Sequence, residues 1–68
     1  VDEWGQLHVV DAGMQHVQVY APDGALVGRY GGPGQLALPS GICIDGRTVF
    51  VADSLGGRVV VFELTEAR

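Results

Sequence analysis

The chain has 68 residues, 47% of them hydrophobic, with 4 basic residues, all arginine, against 8 acidic ones and a net charge of −4. That balance argues against nucleic acid or an anionic membrane surface as partner, since neutralising phosphates needs clustered cations. The single cysteine, Cys43, excludes an intrachain disulfide, and apolar runs of four or five residues are too short for a spanning helix. A chain this short buries only about 60% of its unfolded surface. With no disulfide and no visible metal-ligand spacing, association with more polypeptide is the expected route to stability.

QLHVVD (6–11) and HVQVYA (16–21) are rich in β-branched residues and stand four residues apart, which predicts a hairpin. Ala21-Pro22-Asp23-Gly24 is a strong turn, because proline fixes one φ and glycine accepts a positive one. ALVGRY (25–30) is the third predicted strand. Residues 31–40 are a Gly/Pro-rich connector with no strand pattern. GICID (41–45), TVFVAD (48–53) and RVVVFEL (58–64) are three further strands, joined by Gly46-Arg47 and Ser54-Leu55-Gly56-Gly57. The polar tail, 65–68, is expected to fray. No segment has helical periodicity, so the class is all-β.

Residues 7–20 and 49–62 are two versions of one sequence, LHVVDAGMQHVQVY and VFVADSLGGRVVVF. Val9 falls on Val51, Asp11 on Asp53, His16 on Arg58, Val17 on Val59, Val19 on Val61 and Tyr20 on Phe62. A repeat of about 40 residues made of short strands is the mark of a stacked or circular array. Both faces of TVFVAD and RVVVFEL are apolar, so each strand is expected to be covered on both sides.

The stretch GICIDGRTVFVADSLGGRVVVF (41–62) resembles the NHL repeat. So does the run from Asp23-Gly24 through Tyr30-Gly31, followed by Leu38-Pro39-Ser40-Gly41-Ile42. The resemblance implies four-stranded antiparallel propeller blades. In that frame residues 1–30 are strands b-c-d of one blade with a stub of strand a, 31–40 the inter-blade loop, and 41–64 strands a-b-c of the next. Both blades are then partial, and a period near 42 implies a roughly six-bladed whole of about 250 residues. Neither a leader nor a tag is read at Val1, so the chain is expected to be an excised piece. The family's members range from sensor domains and RNA-binding ubiquitin ligases to a peptide-amidating lyase, and fold does not carry function. Likeness to bacterial members implies an extracytoplasmic location.

Asp53 and Arg58 lie five residues apart across a turn, as do Asp11 and His16. Recurrence favours structural turn locks, with the carboxylate taking loop N–H groups and the cation closing the hairpin. His8 occupies the position of Phe50, so it reads as a packing site. His8, His16 and Cys43 do not have the spacing of a metal motif, and no cofactor is implied. Cys43 is expected to be a small buried hydrophobe. Gly31-Gly32-Pro33-Gly34 lacks the Lys-Ser/Thr and helix of a phosphate cradle. Ser40 has no base beside it in sequence. Trp4 and Tyr30 are the candidate recognition aromatics.

The resulting expectation is a non-enzymatic scaffold or binding module for a protein or small ligand, partnered by further blades or by other copies of itself, with a trimer favoured. Two alternatives stand beside it. One is a fragment of a propeller lyase or hydrolase with a metal in its channel; the other is a self-assembling piece.

Overall fold

Six strands form, the β-branched runs among them. The computed structural model describes residues 1–65, with β1 (Leu7–Asp11), β2 (His16–Tyr20), β3 (Leu26–Gly31), β4 (Pro39–Asp45), β5 (Thr48–Asp53) and β6 (Arg58–Glu63). They make two three-stranded antiparallel sheets, ordered β1-β2-β3 and β4-β5-β6, with no helix among the described residues. Five strands match their expected bounds to within a residue. The fourth opens earlier than expected, at Pro39 rather than Gly41. Pro39 pairs with Asp53, and a bulge then lets the ladder resume at Gly41–Ala52. A first strand position tolerates proline because no N–H is needed there. Of the expected tail at 65–68, all but Thr65 lies outside the described residues.

The turns repeat as the sequence does. Residues 12–15 correspond to 54–57, and the last residue of each is left-handed: Gly57 has φ 62° and Gln15 has φ 60°. Gln15 holds this unusual conformation while donating its side-chain amide to the Ala37 carbonyl at 2.8 Å. At the other end, Gly24 (φ 92°) turns the chain between β2 and β3, with the Gly24 N–H bonded to the Ala21 carbonyl at 2.8 Å.

The core is Val17, Leu36, Val49 and Val51, each wholly buried, flanked by Val10, Tyr30, Ile42, Ile44, Val60 and Phe62. Leu36 comes from the connector, which therefore supplies core rather than merely crossing between sheets. One face of each sheet is buried in this contact. The opposite faces are open: Leu7 and Val9 on the first sheet, Phe50, Val59 and Val61 on the second. The expectation that these strands are covered on both sides therefore holds for one side only.

The two sheets meet through unlike faces. Val49, Val51 and Phe62 are in the core, yet their counterparts Leu7, Val9 and Tyr20 lie on the open face of the first sheet. Val17 and Val19 are buried, yet their counterparts Val59 and Val61 are 61% and 54% exposed on the second. One sheet's buried face is the other's open face, which is head-to-tail packing.

Candidate functional site

Two polar constellations are built into these sheets. The first joins Asp2, His8 and Tyr30. His8 is an alternate-face residue of β1, so the pleat turns it inward with Val10. A titratable side chain on that face needs partners, and it has two. His8 Nε2 lies 2.8 Å from Asp2 Oδ2, and Nδ1 lies 2.9 Å from the Tyr30 hydroxyl.

Asp2 is itself fixed by the turn before β1, where Oδ1 accepts the N–H groups of Trp4 and Gln6, both at 2.9 Å. Burial pushes the Asp2 carboxyl up, but the His8 bond and these two N–H bonds outweigh it and hold it below its ordinary value. Asp2 is therefore an anion that accepts a hydrogen bond from His8 Nε2–H, while Nδ1 and the Tyr30 hydroxyl share the second hydrogen bond. Burial and the Asp2 charge raise Tyr30 well above its ordinary value, so it stays a phenol. Tyr30 also packs against Phe62 with the rings tilted by 59° and their centroids 4.9 Å apart. A cavity of about 80 Å³ touches Asp2, His8, Tyr30 and Phe62.

This cluster orients a phenol against an imidazole and spans all three strands' width, from the turn before β1 to β3. His8 is buried, as expected of a packing site, and it is also the centre of a hydrogen-bonded triad that the sequence reading did not contain. Tyr30, a candidate recognition aromatic, is half-buried within β3 and hydrogen-bonded to His8. The signal that finds the cluster in sequence is His8 at an inward pleat position, with a carboxylate six residues before it.

The second constellation is at Asp53, 1% exposed. Its carboxylate accepts the N–H of Leu38 at 2.9 Å and of Ala37 at 3.1 Å, and Arg58 Nε donates to it at 3.1 Å. Arg58 Nη2 also donates to the Gln35 carbonyl at 2.8 Å. The Leu38 and Ala37 bonds, assisted by Arg58, hold the Asp53 carboxyl down to about 2. The pair thus locks the connector ahead of β4 as well as its own hairpin, a longer reach than the spacing alone implies.

Asp11 and His16 occupy the same places without the same partners. Asp11 Oδ1 accepts the Met14 N–H at 3.1 Å, while Oδ2 is 4.0 Å from His16 Nε2. His16 Nε2 is buried with no hydrogen-bond partner among the described residues. Trp4 is half-buried beneath the Arg47 guanidinium, 4.9 Å from ring centroid, and Arg47 also bonds Glu3. Cys43, expected to be buried, is exposed, because the register of β4 with β5 pairs it with Phe50 on the open face. Among the described residues, no three His, Cys, Asp or Glu side chains gather as a metal site.

No protein-family model, curated protein or solved structure matches this chain.

Proposed function

We propose that the chain is a segment of an NHL-type propeller, carrying two incomplete four-stranded blades, and that it serves as a non-enzymatic scaffold or binding module completed by further repeats of its own kind. In this reading the first sheet is strands b-c-d and the second strands a-b-c of a roughly six-bladed ring, and the ring's loops take a protein or small ligand. The head-to-tail contact carries the proposal. The face each sheet leaves open is the counterpart of the face the other sheet buries, so the two open faces are complementary to one another and can be covered by repetition of a contact already made. The sequence repeat and the Asp53–Arg58 lock support the same reading.

The test is the solution mass of the chain by light scattering over a range of concentrations. A discrete multiple, three for a six-bladed closure, is expected, with a melting temperature that rises with concentration. A folded monomer at every concentration would overturn the reading.

A propeller-enzyme fragment is the other reading with an observation of its own, the Asp2–His8–Tyr30 triad beside a cavity. The polar side-chain atoms of Asp2, His8 and Tyr30 are all paired, Asp2 Oδ1 with backbone N–H groups and the rest with one another, and the phenol is held protonated. The arrangement suits a structural tie better than a general base.

A further inference from the structure

We infer that the open edge of β1, with Asp11 and His16, is a docking site for an extended polypeptide segment of the kind Gln35–Ile42 forms. The inference rests on the repeat-array reading and names the element that a neighbouring repeat must bring. The second sheet displays the occupied form of the site. There, residues 35–38 run past the end of β5, two successive N–H groups enter the Asp53 carboxylate, and the Gln35 carbonyl takes a donor from Arg58. The chain then continues as β4, with Ile42 opposite Val51.

In the first sheet every receiving group recurs. Asp11 stands for Asp53, His16 for Arg58 and Val9 for Val51. β1 is an edge strand, so its outer backbone groups have no ladder partner among the described residues. The Asp11 carboxylate accepts one N–H where Asp53 accepts two from the connector and a third bond from Arg58, and its side chain is 34% exposed. His16 Nε2 is a polar atom buried without a hydrogen-bond partner among the described residues, a costly arrangement that an incoming carbonyl or a drawn-in Asp11 relieves. The partner chemistry is therefore specific: an apolar residue, two consecutive free N–H groups, a proline that needs none, then a β-strand. The turn before β1, closed by the Asp2 N–H on the Gln6 carbonyl at 3.0 Å, bounds this edge at its far end.

The probe is a synthetic peptide reproducing Pro33–Ile42, added to the full ¹⁵N-labelled chain. Saturable shifts at Val9, Asp11, Met14 and His16 are expected. Asp11→Ala, which removes a half-exposed side chain with one hydrogen bond, is expected to weaken binding about tenfold or more. The same peptide N-methylated at the positions of Ala37 and Leu38 is expected to lose binding similarly, which tests the donors without altering the protein. No binding, binding unchanged by Asp11→Ala or by N-methylation, or shifts confined to β5 and Asp53 would overturn the inference. Light scattering on the same samples separates this from the array reading: copies that associate while the peptide leaves Asp11 undisturbed sink the docking site alone.

Discussion

Asp53 ties the second sheet to the connector that precedes it. It is buried, and it gathers the connector, β5 and β6 through one carboxylate. Asp53→Ala strands the N–H groups of Ala37 and Leu38 and frees the Arg58 guanidinium, so the melting midpoint should drop by on the order of 10 °C, read by circular dichroism. Because its folded pKa lies near 2, below the ordinary 3.8, its contribution is complete above about pH 4 and is lost as pH falls toward 2. An acid titration of stability should therefore flatten in the alanine variant. Gly31 sets a second residue-scale limit. Its φ is 77°, and a Cβ there would meet Cδ1 of the wholly buried Leu36 at 2.8 Å. Gly31→Ala should cost about 1–3 kcal/mol in urea unfolding. Gly24→Ala, also left-handed but with nothing within 4 Å, should cost less. The repeat made Asp53 and Arg58 visible in the sequence as a pair. Their reach to Ala37 and Leu38 was not visible, because nothing in a five-residue spacing says where a connector fifteen residues upstream returns.

At the scale of a strand, the period of two was legible, but where both faces are apolar the sequence did not say which one turns inward. β5 reads Val49, Val51, Asp53 inward and is buried at all three. Cys43 lies on the opposite pleat and is exposed, a matter of register that composition does not encode. His8 obeyed the pleat, but its inward position hid a triad whose third member, Tyr30, is 22 residues away. That triad predicts an alkaline limit. The Tyr30 hydroxyl ionises at a higher pH in the fold than its ordinary 10.0, so the stability it lends is present below pH 10 and declines as pH rises beyond it. Chemical unfolding monitored across that range should show the decline, and Tyr30→Phe should remove it. His8→Phe, which copies Phe50 of the other repeat, should still destabilise by about 1–3 kcal/mol, since it leaves Asp2 Oδ2 and the Tyr30 hydroxyl unpaired.

Across the whole molecule, the asymmetry of the sheet contact makes a prediction that a symmetric contact does not. If copies join as the two sheets do, the open face of the first sheet meets the open face of the second. Leu7→Glu spoils one face and Val61→Glu the other, and both residues are about half exposed, so neither change disturbs the core. Each variant alone should be monomeric by light scattering. Mixed in equal amounts, they should form a one-to-one dimer that grows no further, because the single intact face of each is the complement of the other's. A like-with-like contact predicts the reverse: one variant dimerises alone, and mixing adds nothing. The result decides whether the repeat seen within one chain is also the rule by which chains, or further repeats, extend it.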